Sequence, residues 1–425
     1  MTRKISGLWR NPDFIKLWLG ETISLFGSQV TIVALPFTAI LALQATPAQM
    51  GFLGAAEFAP LLLVSLFAGV WVDRLPRRKV MIASNLGQGL LLCLVPLASL
   101  TGFLSMELLY LLAFLTGTLA VFFAIAYQSY LPALIAKEDL ADGNSKLEAS
   151  QSLAEISGPA LGGVLVQLFS APLAIVLDAF SFLVSALGLQ LIGQPGPPPV
   201  PPEETRPNIW AAIGQGLKEL VRHPLLRAFA LCNACTNFFG AVIGTVYTLY
   251  LLLELHIEPA IVGFIFTASG FGGVLGAVLA AKFTGWLGLG PGLIIAGLLG
   301  GLSWWLIPVA TSPLTLVLPL LVANRLLFGL FNPVYRINQI SVRQAITAPK
   351  LQGRVNASMR FLAGGVVPVG SLVGGWLGGS AGLRPTLVIG AAGMSLSFLA
   401  LYFSPVRKLR QDSVLSSTPP IFREN

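Results

Sequence analysis

The sequence carries very little charge. Of its 425 residues, 26 are Lys or Arg and 18 are Asp or Glu, which is 10% in all. Soluble globular chains carry about 25% charged residues, so a chain of this length has too few to cover a water-exposed surface. Together with a hydrophobic fraction of 55% and a mean hydropathy of +0.80, this scarcity excludes a soluble protein.

Cysteine and histidine are also scarce. The three cysteines (Cys93, Cys232 and Cys235) all lie in apolar segments, so they indicate no disulfide framework. With two histidines and no H-E-x-x-H motif there is no constellation for a metal-dependent membrane enzyme, and no G-x-x-x-x-G-K-[ST] loop exists to hold ATP for a primary pump. We therefore expect no enzyme activity, no catalytic residue, no metal and no cofactor.

Long apolar stretches make up most of the sequence. Each is long enough to cross a hydrocarbon core of about 30 Å as a helix. The pattern predicts an all-α polytopic membrane protein with twelve transmembrane helices, at residues 14–43, 49–71, 79–100, 106–130, 146–169, 173–193, 225–254, 259–282, 289–310, 313–336, 356–379 and 382–404.

The basic residues predict the orientation of these spans. Twelve crossings place both termini on one side of the membrane, and 24 of the 26 Lys and Arg residues fall on that same side. The exceptions are Arg325, inside a span, and Arg384, near the opposite face. Because basic loops stay cytoplasmic, both termini are predicted to be cytoplasmic. The net charge of +8 thus follows membrane topology and does not indicate nucleic-acid binding.

The middle of the chain has a different composition. Residues 195–207 contain seven prolines, which is typical of an extended linker. Ile209, Ile213 and Leu217 then recur at helical spacing, which predicts a short amphipathic helix on the cytoplasmic membrane surface. The predicted domains are a six-helix bundle at 1–194, a linker with this helix at 195–223, a second six-helix bundle at 224–404 and a cytoplasmic tail at 405–425.

The chain also repeats itself. At an offset of 212 residues, without any gap, Pro12, Pro47 and Pro96 each align with another proline, and Gly162-Gly163 align with Gly374-Gly375. Six spans are an even number, so both halves have the same orientation. The repeat therefore predicts two pseudo-symmetric six-helix bundles, which is a common transporter architecture.

The basic loop after the second predicted span contains a recognisable motif. Its residues Gly69, Asp73, Arg74, Arg77 and Arg78 closely resemble the major facilitator superfamily signature G-x-L-x-D-R-x-G-R-K, with Pro76 where that pattern has glycine. We expect Gly69 to let the helix end approach its neighbour, Asp73 to pair with a cation or cap a helix, and the arginines to contact anionic lipid. The resemblance implies a role for these residues in gating.

The fifth span resembles the antiporter motif of drug-proton exporters, G-x-x-x-G-P-x-x-G-G, through Gly158, Pro159, Gly162 and Gly163. Its proline kinks a helix and its glycines permit close packing, so the motif implies rocking during alternating access. Asn324-Arg325 in the tenth span resembles a superfamily motif that usually lies in the fourth helix.

Three further stretches narrow the resemblance to one branch. Residues 131–145, 353–362 and 382–385 look like the enterobactin-exporter and macrolide-efflux branch. The resemblance implies a bacterial plasma-membrane exporter that exchanges protons for a bulky amphiphilic small molecule, which is drug-like, macrolide-like or siderophore-like. A proton-coupled importer of a small metabolite or anion, and a membrane sensor without transport, remain alternatives. A monomer suffices for this fold.

Ionisable residues inside spans are costly and therefore mark candidate sites. Glu57 and Glu155 are the first candidates for proton coupling, and Glu21 is the next. Arg325 is a candidate for a counter-ion or for contact with an anionic substrate, together with the neighbouring Asn324. Asp178 is a candidate for the same roles, although we expect it near the outer surface, where it would be a capping or solvated residue.

Overall fold

The protein is helical throughout the part that the computed structural model describes, which comprises residues 7–193, 209–310 and 313–409, and no strand occurs there. This confirms the predicted all-α fold. The helices are α1 (Pro12–Phe37), α2 (Pro47–Leu63), α3 (Ser65–Arg74), α4 (Arg77–Thr101), α5 (Met106–Leu134), α6 (Leu140–Leu168), α7 (Ala171–Gln190), α8 (Ile209–Arg222), α9 (Pro224–Leu249), α10 (Pro259–Leu287), α11 (Leu289–Leu302), α12 (Leu306–Val309), α13 (Leu314–Ile346), α14 (Pro349–Ser380), α15 (Leu383–Leu396) and α16 (Leu399–Tyr402).

Every predicted span has a helix, but two of them differ from the rest. Among the described residues, ten helical segments are long and apolar enough to cross a membrane. The predicted second span is divided at Val64 into α2 and α3. The predicted fifth span is α6, which is long enough but more polar, since it contains Glu148 and Glu155.

The chain divides into two compact units. Unit 1 contains the described residues up to 193 together with residues 251–267, and unit 2 contains residues 209–250 and the described residues from 268 to 409. The predicted proline-rich stretch at 195–207 and the tail after residue 409 lie outside the described residues.

The offset of 212 residues is reproduced in the backbone. Helices α1 and α9 begin 212 residues apart, and both contain 26 residues. Each continues into a π-helical turn, at Thr38–Ala42 and Tyr250–Glu254. The residues that follow, Gln44 and His256, both adopt a φ of 51°, in the left-handed region. The sequence repeat is therefore also a repeat of the backbone in these helices and turns.

Small residues bring the helices of unit 1 together. A methyl group at Gly20 of α1 would lie 3.1 Å from the Ser185 Cα of α7, and one at Gly89 of α4 would lie 2.9 Å from the carbonyl oxygen of Ala179, also on α7. Such close approach maximises van der Waals contact between membrane helices. As a result α7 packs between α1 and α4, and this trio carries most of the polar residues described below.

In unit 2 the predicted amphipathic helix exists as α8 and packs against α14. A methyl group at Gly216 would lie 2.5 Å from the carbonyl oxygen of Arg354, and the Arg354 guanidinium donates a hydrogen bond to Gln215. Leu220 is buried in a core shared with α9 and α14, whereas Leu217 is exposed. The side chains of Ile209 and Ile213 lie outside the described part.

Candidate functional site

A cavity of about 170 Å³ lies inside unit 1, walled by α1, α2, α4, α5 and α7. Most of its wall is apolar, but two carboxylates and several hydroxyl and amide groups share it. The lining residues are Ser28, Thr31, Ile32, Leu35, Glu57, Gln88, Leu92, Val95, Leu112, Ala113, Thr116, Gly117, Ala120, Asp178 and Phe182. Polar groups converging in an otherwise apolar cavity are typical of a small-molecule or ion site.

Asp178 of α7 is the buried carboxylate of this cavity, with 1% of its surface exposed. Its Oδ1 accepts hydrogen bonds from the hydroxyls of Ser181, at 3.1 Å, and Ser28, at 3.4 Å. The expectation that Asp178 caps a helix or is solvated is therefore wrong. The reason is local: Gly27 of α1 has no side chain, which leaves room for Asp178 and Ser181 to pack against α1.

Glu57 reaches the same cavity from α2 and is exposed. The helix bearing it crosses α5 closely, since a methyl group at Gly117 would lie 2.7 Å from the Glu57 carbonyl oxygen. This crossing fixes the backbone of Glu57 against the cavity wall. The structure thus places Glu57 and Asp178, which are 121 positions apart in the sequence, on one cavity.

Glu21 of α1 belongs to a separate polar cluster. It has 9% of its surface exposed, and its carboxylate lies near the hydroxyl of Ser185 on α7. The Ser185 hydroxyl in turn accepts a hydrogen bond of 2.8 Å from the amide of Asn85 on α4. One carboxylate, one hydroxyl and one amide therefore lie together where α1, α4 and α7 meet.

Glu155 is placed differently from the other acids. It is exposed on α6, where its Oε1 accepts a hydrogen bond of 2.6 Å from Gln151 one turn earlier. It is not among the described residues that line the cavity. Of the three candidates for proton coupling, Glu57 is the one that lines this cavity, together with Asp178.

Arg325 of α13 packs among aromatic rings in unit 2. Its guanidinium carbon lies 4.5 Å from the ring centre of Tyr247 and 5.3 Å from that of Trp304. The neighbouring Asn324 is fully buried, and its amide donates a hydrogen bond of 3.1 Å to the carbonyl of Ser303. Cation–π contacts of this kind hold a guanidinium in an apolar bundle.

The glycines of the fifth-span motif lie at close helix crossings. A methyl group at Gly158 would clash with the Gln29 side chain of α1, and one at Gly162 would lie 3.2 Å from the Val30 Cα. A methyl group at Gly163 would lie 2.5 Å from the carbonyl oxygen of Pro259 at the start of α10, in the part of α10 that belongs to unit 1. Pro159 is buried at the same crossing.

In the basic motif, Arg78 contacts the end of α7. Arg78 donates from Nε to the carbonyl oxygen of Leu189, at 2.8 Å, and from its terminal nitrogen to that of Gln190, at the end of α7. The close approach expected at Gly69 is wrong, because no described atom lies within 4 Å of a methyl group built there. The side chain of Asp73 lies outside the described residues, and Arg74 is exposed, whereas Arg77 is partly buried.

Sequence reasoning missed the neutral polar members of the site. Ser28, Thr31 and Gln88 line the cavity, and Asn85 and Ser185 join Glu21. A signal was available on α7, where Asp178, Ser181 and Ser185 recur at spacings of three and four residues in an apolar span. That spacing places polar groups along one face of a helix.

Comparison with known proteins identifies the family and the fold. The Major Facilitator Superfamily model matches residues 17–241 and 229–422. The chain is 27% identical to the multidrug efflux pump Tap of Mycolicibacterium fortuitum, over 94% of this chain and 97% of that one. It is 25% identical to the enterobactin exporter EntS of Citrobacter koseri, over 98% of both.

Solved structures resemble it in fold. A bacterial homologue of the human lysosomal transporter Spinster, in an inward-facing and occupied conformation, matches 93% of this chain and 97% of its own with a TM-score of 0.73 at 15% identity. A bacterial homologue of the iron transporter ferroportin matches 92% of this chain and 98% of its own with a TM-score of 0.67 at 17% identity.

Proposed function

Because the chain belongs to the Major Facilitator Superfamily and is a multi-pass membrane transporter of the efflux branch, not an enzyme, we propose that it exports a bulky amphiphilic small molecule in exchange for protons. The observation that carries the proposal is the cavity of unit 1, where Glu57 and Asp178 face one apolar-walled space. The membrane is the bacterial plasma membrane, with both termini cytoplasmic, and a monomer performs the cycle.

Export, rather than import, is supported by two relatives that cover nearly the whole chain. One is named a multidrug efflux pump and the other an enterobactin exporter. The Gly158-Pro159 motif supports the same direction through its resemblance to the antiporter motif of drug-proton exporters, and its glycines lie at the crossings of α6 with α1 and with the start of α10. Crossings packed this closely permit one helix to rock on another without side chains interlocking.

The electrostatics of the cavity support proton coupling. Two carboxylates in one apolar-walled space repel each other when both are charged, and a charge inside a membrane protein needs a partner. Asp178 accepts hydrogen bonds from Ser181 and Ser28, and Glu57 lines the same space, so these two acids are the proposed sites of proton binding. Protons bound in one state of the transport cycle and released in the other would drive export.

The test uses inverted membrane vesicles that contain the protein and carry a known proton gradient, read with a pH-sensitive dye. A macrolide, a catecholate siderophore and a lipophilic cation are added one at a time. We expect one of them to dissipate the gradient, and we expect Glu57→Gln and Asp178→Asn to abolish that response. Glu148→Gln is the matched control, because Glu148 is an exposed acid of unit 1 that is not part of the cavity.

The same experiment separates the alternatives. If Glu155→Gln or Glu21→Gln abolishes the response while Glu57→Gln and Asp178→Asn retain it, the residue that couples protons lies outside the cavity. Radiolabelled substrate that accumulates in intact cells because of the protein would indicate an importer. Binding of a compound without flux in either direction would contradict export and favour a sensor.

A further inference from the structure

The two repeats use one position in opposite ways. Ala113 of α5 and Arg325 of α13 are counterparts at the offset of 212 residues. Ala113 has 3% of its surface exposed and lines the cavity of unit 1. Arg325 instead places its guanidinium against the rings of Tyr247 and Trp304. A cation thus stands in unit 2 where unit 1 has a methyl group beside an open space.

The residues around this position are also larger in unit 2 than in unit 1. The counterparts of Tyr247 and Trp304 are Leu35 and Leu92, and both line the cavity of unit 1. The ring of Phe328, which packs 5.1 Å from that of Trp304, corresponds to Thr116, another cavity residue. Three rings and a guanidinium in unit 2 therefore correspond to four smaller lining residues in unit 1.

The two acids of the cavity, in contrast, have no acidic counterpart in unit 2. The counterparts of Asp178 and Glu57 are Gly390 and Ser269, and the sequence contains no acid from residue 259 to residue 411. Position 390 also has no space for a longer side chain, because a methyl group there would lie 3.1 Å from the Cδ1 of Ile243. Unit 1 therefore holds two carboxylates and a space, and unit 2 holds the cation and the rings that would fill such a space.

We propose that the cavity of unit 1 binds a planar organic cation of the amidinium or guanidinium class that carries an apolar body. This deepens the proposed function, on which its role in transport rests, by naming a ligand class for the same cavity. The volume of about 170 Å³ suits a ligand of this size, since an engineered cavity of about 150 Å³ binds benzene. A planar cation pairs with carboxylates through two parallel hydrogen bonds, while the apolar wall covers its body.

The test measures binding to purified full-length protein in lipid nanodiscs by calorimetry, without any proton gradient. The probe is benzamidine, and the matched neutral compound is benzamide, which has nearly the same shape. We expect benzamidine to bind saturably to one site, and benzamide to bind at least about tenfold more weakly, which corresponds to about 1.4 kcal/mol. Equal binding of the two compounds, or no binding of benzamidine, overturns the proposal.

Ala113→Arg is the sharpest variant, because it gives unit 1 the residue that its counterpart already has. We expect the new guanidinium to occupy the cavity and to abolish benzamidine binding. The melting temperature of Ala113→Arg should fall when Asp178→Asn is added to it. Ala113→Leu fills the space without charge, so adding Asp178→Asn to that variant should not lower its melting temperature. Benzamidine binding that survives Ala113→Arg in a folded protein contradicts the proposal.

The acids provide a second, independent measurement. Asp178→Asn and Glu57→Gln should each weaken benzamidine binding at least about tenfold, as expected for the loss of a charge-assisted pair. Glu148→Gln, which removes an exposed acid away from the cavity, should leave it unchanged. Displacement of benzamidine by 100 mM sodium but not by potassium would identify an inorganic cation site and overturn the assignment. Since no flux is measured, binding can succeed even if proton antiport fails.

Discussion

The carboxylate of Asp178 lies against the backbone of Gly27, so that a methyl group at position 27 would be 2.7 Å from its Oδ1. A carbon atom that is not bonded to an oxygen essentially never lies so close to it. The position of Asp178 in the cavity therefore depends on the absence of a side chain one helix away.

Gly27→Ala should consequently displace Asp178 and Ser181 and destabilise the protein by about 1–3 kcal/mol, which is the usual cost of overpacking. The measurement is thermal or detergent-induced unfolding of the purified protein. Gly240→Ala on α9 is the control, since no described atom lies within 4 Å of a methyl group there. It should be neutral or stabilising by up to about 1 kcal/mol, because alanine favours helix over glycine. Equal stability of both variants would contradict the packing argument.

The crossing of α6 with the start of α10 offers a second matched pair of glycines. A methyl group at Gly263 would clash with the carbonyl of Pro159 and lie 3.1 Å from the Gly163 Cα, whereas Gly273 on the same helix has no described atom within 4 Å. We expect Gly263→Ala to reduce drug efflux from cells severalfold and to lower the melting temperature, because the two backbones must separate. Gly273→Ala should change neither. Full efflux by Gly263→Ala would show that the close crossing is dispensable.

The contact of Arg325 with Trp304 should appear as an energetic coupling. We expect Arg325→Met and Trp304→Leu each to destabilise unit 2, and the double variant to lose about 1–2 kcal/mol less than their sum, because a desolvated cation–π pair is worth about that much. Detergent-induced unfolding of the four proteins in the cycle measures it. Additive losses would mean that the guanidinium and the ring only fill space. Leu92→Met on α4, at the counterpart of Trp304, serves as the uncoupled control with Arg325→Met.

The repeat was predictable from the sequence to the residue, because prolines and glycines mark helix starts and crossings and so keep their spacing. The offset of 212 aligns Pro12 with Pro224 as the first residues of α1 and α9, and Pro47 with Pro259 as those of α2 and α10. The all-helical fold was predictable for a similar reason, since spans long and apolar enough for a membrane leave few other structures.

The composition of the cavity was only partly predictable. The cost of intramembrane charge singled out Glu57 and Asp178 one by one. Whether the two side chains share a cavity depends on how α2 and α7 are rotated about their axes. The separation of 121 positions in the sequence does not indicate this rotation. Gly69 shows the opposite error, since a familiar motif suggested close packing where α3 has no described neighbour within 4 Å of a methyl group. The environment of Arg325 likewise requires the rings of Tyr247 and Trp304, which are far away in sequence, to converge.

The uneven distribution of acids has a practical consequence for chemical labelling. From residue 259 to residue 411 the sequence offers no carboxylate side chain, and Glu219 is the single acid among the described residues of unit 2. A carbodiimide that reacts within the membrane can therefore modify acids of unit 1 alone. Substrate protection against such a reagent would report on the first repeat directly, before any labelled peptide is sequenced.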